Sequence, residues 1–201
     1  WCWTLLSGLT PLSRGCVKTG PFGSLLKKHE HRSQGIPVIG IENIDRMRFV
    51  RGSKIHISEK KAEELVDYDA QPGDVLISRS GTVGEVCVVP SDIGEARIST
   101  NLMRVRLSQS AVDPRFFCLL FNGSPSVLKQ ISEFCSGSTR DFLNNDILAK
   151  LRFPVPPRVE QDAVIEAVED QLSVIDHLEA DLETKLTNAR GLRQSILRNA
   201  F

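Results

Sequence analysis

The chain has 201 residues, 41% of them hydrophobic, and 25 Lys plus Arg balance 25 Asp plus Glu, enough for one domain of about 150 residues and one extended element. No run of about 18 apolar residues occurs and no secretory signal opens the chain, which argues against a membrane protein. Five cysteines without a CxxC pair fit reduced thiols and a cytoplasmic location. The net charge of zero hides an uneven distribution. Up to Lys60 there are ten Lys/Arg against four Asp/Glu, while the acidic excess lies near the C-terminus. A basic face on a neutral protein is compatible with phosphate binding.

Residues 1 to 35 read as a short strand or helix entry followed by turn formers, Ser13-Arg14-Gly15 and Thr19 to Ser24. Gly20, Pro21 and Gly23 can bring backbone close to an anion, with Lys18, Lys27 and Lys28 supplying charge. The Gly-Lys-Ser/Thr of a phosphate-binding P-loop is absent. Gly35 to Ile41 predicts a buried strand and Lys54 to Ile57 another, and Ser58 can cap a helix running to about Val66. Gly73 to Ser78 and Glu85 to Val89 flank the polar tip Arg79-Ser80-Gly81-Thr82-Val83-Gly84, a hairpin pattern. Ala96 to Ser99 and Leu102 to Leu107 continue that sheet across Thr100-Asn101. Asp113-Pro114 and Ser124-Pro125 start two helices whose aromatic residues Phe116, Phe117 and Phe121 belong to the core. A second polar loop, Ser136-Gly137-Ser138-Thr139-Arg140, follows. Asn145 can cap a turn through Leu148, and Leu151 to Pro157 is an extended lead into the last element.

That element, Arg158 to Asn199, is a long helix. Prolines at 154, 156 and 157 precede it, no proline interrupts it, and Gly191 is its one glycine. Apolar residues recur at Ile165, Val168, Leu172, Ile175, Leu178, Leu182, Leu186, Ala189, Leu192 and Ile196, in steps of three and four close to the heptad spacing,. Two successive steps of three at Leu172, Ile175 and Leu178 predict a locally irregular coil. The rod would be roughly 60 Å long. From Glu160 to Glu183 it carries acids and no Lys or Arg; Lys185, Arg190, Arg193 and Arg198 follow with no acid. A parallel copy would set acid beside acid, whereas an antiparallel copy sets each acidic half beside a basic half.

Catalytic chemistry is not apparent. The four histidines are scattered without ligand spacing,. Asp74 and Glu85 stand where a nuclease pair would, but Cys87 occupies the place of the lysine such a site wants. No cofactor fingerprint and no metal-ligand cluster is present.

Several stretches together resemble the specificity subunit of type I restriction-modification systems: Thr19 to Ser24, Gly35 to Ile39 with Asn43-Ile44, Gly73 to Gly84, Phe153-Pro-Val-Pro-Pro157 followed by Glu160-Gln161, and Gly191 to Phe201. The resemblance implies a target recognition domain followed by a conserved spacer helix, a unit normally present twice per subunit and here once. It further implies that two such helices pack antiparallel, hold two recognition domains apart on DNA, and dock the modification subunits that methylate adenine.

The resulting expectation is an α+β chain, a mixed-sheet recognition domain over 1–153 and a coiled-coil helix over 154–201, without an active site, cofactor or metal of its own. Its partners would be double-stranded DNA, modification subunits, restriction subunits, and either an antiparallel second copy or the second half of a longer subunit. DNA contacts are placed, by loop chemistry and charge, on Lys18, Ser24, Lys27, Arg79, Ser80, Thr82, Asn101, Ser138, Thr139 and Arg140. The rival readings are a coiled-coil adaptor that binds no DNA and a metal-dependent nuclease built on Asp74 and Glu85.

Overall fold

The computed structural model describes residues 1–13, 15–79, 84–135 and 143–200. Among the described residues eleven strands run in chain order as β1 (Cys2–Leu5), β2 (Val17–Thr19), β3 (Ile36–Ile39), β4 (Ile44–Asp45), β5 (Arg48–Phe49), β6 (Ile55–Ile57), β7 (Val75–Ser78), β8 (Val86–Val88), β9 (Arg97–Ile98), β10 (Leu102–Val105) and β11 (Arg152–Val155). The helices are α1 (Glu59–Glu64), α2 (Pro114–Gly123), α3 (Pro125–Cys135), α4 (Asn145–Lys150) and α5 (Arg158–Ala200). By contacts the chain divides into two compact units, Trp1–Gln161 and Asp162–Phe201.

The first unit is built on a four-stranded antiparallel sheet ordered β2-β10-β7-β8 and a three-stranded sheet ordered β6-β3-β9, in which β3 and β9 run parallel. Every residue of β7 and β10 is buried, including the polar Ser78 and Arg104, so these strands lack the alternation of a sheet with one face in water. One core cluster joins Leu76, Cys87 and Leu102 of the first sheet to Ile39 and Ile98 of the second. Phe117 and Phe121 of α2 meet Phe153 of β11, with ring centroids 5.0 to 6.4 Å apart. Burial pushes the Cys87 thiol up to about 12 and the Cys118 thiol well above its ordinary value, because neither has a polar environment to hold a thiolate.

The local signals act through identifiable bonds. Ser58 caps α1 by accepting from Lys61 N at 3.2 Å, and Asp113 caps α2 by accepting from Arg115 N at 2.8 Å. The cap of α4 is Asn144, whose Oδ1 accepts from Ile147 N at 2.9 Å; Asn145, given that role by the sequence, is the first helical residue instead. Three further departures concern pairing. β9 leaves the hairpin sheet to join β3, β2 supplies an edge strand inside a segment that reads as loop, and the lead into the helix, Arg152–Val155, pairs with β1.

Pro156 and Pro157 end β11, and the first turn of α5 is fastened to α2. The side chain of Gln161 is 1% exposed. Its Oε1 accepts from Asp113 N at 2.8 Å, and its Nε2 donates to Pro156 O at 3.0 Å and to Ala111 O at 3.3 Å. Arg158 adds an ion pair to Asp113 at 2.7 Å. A buried amide with all three bonds made is worth keeping, since each orphaned partner would carry a desolvation penalty.

The second unit is the rest of α5, whose 43 residues amount to about 65 Å at 1.5 Å per residue. Ile165 is buried, Val168 and Leu172 are half-buried, and Ala189 is exposed. Ile175, Leu178, Leu182, Leu186, Leu192 and Ile196 are 49 to 64% exposed. None of the helices among the described residues is long and apolar enough to cross a membrane.

Candidate nucleic-acid interface

Three loops leave the same end of the four-stranded sheet. β2 pairs Thr19 with Met103 of β10, and β7 pairs Ser78 with Leu102, so the chain after Thr19, the chain after Ser78 and the turn before Leu102 emerge side by side. Hydrogen bonds lock them together. Gly20 N donates to Leu102 O at 2.9 Å, Thr100 Oγ1 to Pro21 O at 2.6 Å, and Arg79 N to Asn101 O at 3.0 Å. On Gly20 a Cβ would sit 1.9 Å from Ser99 O, so glycine is required there for close approach of two backbones. The Gly20 amide is thereby used inside the sheet and does not face an anion. Ser99 N also donates to Ile39 O at 2.8 Å, which makes the turn 99–101 the joint between the two sheets. A fourth segment reaches the same place: Thr19 Oγ1 donates to Asn145 Oδ1 at 3.0 Å, at the start of α4.

Of the residues that the sequence singles out, this edge gathers Arg79 and Asn101, with Asn101 exposed, and Ser24 and Lys27 lie exposed on the loop that Pro21 and Thr100 tie to it. Lys27 lies in a short turn in which its backbone N–H donates to Glu30 Oε2 at 2.7 Å. Ser80, Thr82, Ser138, Thr139 and Arg140 lie outside the described residues. Lys18 faces elsewhere. It pairs with Asp67 at 3.0 Å and its ammonium lies 4.9 Å from the centre of the Tyr68 ring, so a neighbouring acid already balances its charge. The sequence reads Thr100-Asn101 as the connection between two strands and assigns only Asn101 to the site; nothing local signals that the Thr100 hydroxyl reaches Pro21.

Lys18 borders a cleft of about 420 Å³ lined also by Gly15, Val66, Asp67, Asp69, Arg104 and Arg106. Beneath it lies a buried charge network. Arg104 pairs with Asp69, and Arg106 forks onto both oxygens of Asp74 at 2.8 Å each. The Asp74 carboxylate, 2% exposed, also accepts from Gln71 N at 2.8 Å. Hydrogen bonding to Asp74 raises the pKa of Arg106 still further above its ordinary value. The acids at this cleft are committed to Lys18, Arg104 and Arg106, which gives it a structural role.

The nuclease reading fails on distance. Asp74 precedes the first residue of β7, whereas Glu85 N-terminally flanks β8 and its carbonyl accepts from Ser78 N at 2.8 Å. Four residues of strand, about 13 Å at some 3.3 Å per residue, separate the two levels, too far to share one metal ion. Among the described residues no group of three His, Cys, Asp or Glu could hold a metal. Asp74→Asn is expected to lower unfolding free energy by about 3 kcal/mol in urea titration, the low end for breaking a buried pair because Arg106 keeps contact with water. Unchanged stability would show that the network holds nothing together.

Residues 22–188 match the family model described as the type I restriction modification DNA specificity domain. The chain therefore belongs to the type I restriction-modification DNA specificity family. It is 21% identical over 200 residues to the specificity subunit of the type I restriction enzyme StySPI from Salmonella potsdam, covering 98% of this chain and 43% of that one. It is 23% identical to the specificity subunit of EcoBI from Escherichia coli (100% and 41% covered) and 26% identical to that of EcoKI from Escherichia coli strain K12 (88% and 39% covered). Thus the chain spans about two-fifths of the length of these curated relatives. Among solved structures it superposes with a TM-score of 0.65 on a chain from a study of complex assembly and conformational transition of the type I R-M system, at 20% identity over 94% of this chain and 43% of that one. With the HsdS subunit from Thermoanaerobacter tengcongensis the TM-score is 0.59, at 17% identity, covering 88% and 39%. These superpositions support the mixed-sheet α+β fold with its long C-terminal helix.

Proposed function

We propose that this chain is a sequence-specific duplex-DNA recognition module without its own active site, and that residues 1–153 read DNA while residues 154–201 form the spacer helix. The observation that carries this reading is the convergence of Arg79, Asn101 and the Ser24–Lys27 loop at one end of one sheet. Family membership and relatives that are specificity subunits support it. Lys27 is assigned to phosphate, which grips every sequence alike, and Arg79 and Asn101 to base edges, where a bidentate side chain distinguishes one base pair from another. Ser80, Thr82, Ser138, Thr139 and Arg140 are assigned to DNA contact from loop chemistry and charge alone. Modification and restriction subunits are the partners that would act on the bound site.

Pairing through α5 belongs to the same proposal. The exposed apolar residues of the helix form a row about half its length, too long a row to leave in water without a partner. An antiparallel partner with its two-fold axis near Leu178 sets Leu172 against Leu186 and Ile175 against Leu182, and brings the acids of the first half beside Lys185 to Arg198. That partner is a second copy of this helix or the matching helix of a longer subunit.

Two outcomes test this. Duplex of random sequence is expected to bind weakly and to lose affinity steeply between about 50 and 200 mM salt in fluorescence anisotropy, as counterion release requires; binding indifferent to salt would favour the adaptor. In protein stripped of its native cysteines, Glu166→Cys is expected to form disulfides with Arg190→Cys when the two variants are mixed. Rapid disulfide formation of Glu166→Cys with itself alone would mean a parallel coil and would overturn the antiparallel pairing.

A further inference from the structure

The hairpin β4–β5 concentrates backbone strain at its tip. Arg46 and Met47, the two residues between Asp45 and Arg48, have φ of 46° and 63° and are the non-glycine residues with positive φ among the described residues. A two-residue hairpin turn with both centres left-handed is the form that Asn-Gly satisfies with least strain. Arginine and methionine carry a Cβ that crowds the following carbonyl in that conformation. Such a turn persists where its surroundings over-determine it, and here they do. The buried Asn43 accepts from Gly40 N at 2.9 Å and donates to Val50 O at 2.8 Å and Gly52 O at 3.2 Å, while Val50 N returns a bond to Asn43 O at 2.9 Å. Ile44 and Phe49 pack into the core cluster with Leu76 and Cys87. Arg51 at the base forks onto Asp92 at 2.5 and 2.6 Å and holds that carboxyl below its usual range.

A clamped base and a strained tip together leave the identity of the tip residues as the feature to be explained. Turn chemistry would choose Asn and Gly; the chain has Arg-Met followed by Arg48, with Arg46 and Arg48 both exposed. The ribbon packs against β8, the strand that begins directly after the loop bearing Arg79. We propose that this hairpin is a second DNA-contacting element, presenting Arg46 and Arg48 to the duplex from a rigid ribbon, and that its strain is retained because the side chains are needed for contact. Two-stranded ribbons fit the major groove, and arginine serves both phosphate and guanine there. This rests on the DNA-recognition reading above and adds to it a site that lies off the sheet edge.

The test uses the full chain and a labelled duplex of random sequence, titrated over a salt series, with thermal melting in parallel. The double variant Arg46→Asn/Met47→Gly relieves the turn, so its melting temperature is expected to rise, whereas its duplex affinity falls and the slope of log K against log salt drops by about one. Arg48→Ala, which leaves the turn untouched, is expected to lower the slope by about one as well. A double variant that melts higher yet binds with the original affinity and slope would overturn the proposal, as would one that melts lower, since the strain would then be absent. Arg48→Ala binding like the parent would count against it equally. Failure of the parent chain to bind duplex in a salt-sensitive manner is a different result, and sinks the DNA-recognition reading itself.

Discussion

The turn Ser99 to Asn101 is the constraint on which the first unit depends. Within three residues it takes the chain from one sheet to the other, donates from Ser99 N to the carbonyl of Ile39 at the end of β3, and receives the backbone of the first loop so closely that only glycine fits at position 20. Because Thr100 holds Pro21 and the Asn101 carbonyl accepts from the Arg79 amide, loops distant in sequence are held in one register. Recognition of base edges demands such fixity, since a side chain displaced by an ångström loses its bidentate geometry. Anchoring loops on a rigid joint lets their side chains change without disturbing the sheet.

The charge network around the cleft uses three cations inside the fold. Asp67 takes Lys18, Asp69 takes Arg104 and Asp74 takes Arg106, which holds β2, β10 and the turn before β7 together; of the three, only Lys18 belongs to the basic surplus before Lys60. Ion pairs this deep pay heavily in desolvation and contribute to stability only with near-ideal geometry; the fork of Arg106 on Asp74 meets that condition. In the proposed reading, the cations left for DNA are the smaller set on exposed loops.

Much of this was legible in the sequence where the signal is local. Ser58 and Asp113 cap the helices they announce, the proline run starts α5, and the heptad-like spacing marks its exposed row. Family motifs named the architecture before any sheet was seen. The signal fails where partners are far apart. The pairings of β1 with β11 and of β9 with β3 join strands of four residues or fewer that carry no alternation of their own. Asp45-Arg46-Met47-Arg48 escapes notice because a hairpin is read from Asn-Gly, and this one reaches the same turn under strain. Asp74 looks catalytic in one dimension since its two arginine neighbours lie some thirty residues on. At the proposed recognition edge, loop chemistry singled out Arg79, Asn101, Ser24 and Lys27, whereas nothing local showed that the Thr100 hydroxyl reaches Pro21 and ties two of the loops together.

If the end of the β2-β10-β7-β8 sheet reads base sequence, selection from a pool of random duplexes by the full chain, followed by sequencing, will show it. A defined short motif is expected to be enriched, with Arg79→Ala relaxing the choice at one position by a factor equivalent to roughly 1 to 3 kcal/mol and Lys27→Ala weakening capture of every sequence alike. A pool that remains unenriched, or a motif that Arg79→Ala and Asn101→Ala leave unchanged at every position, would contradict it.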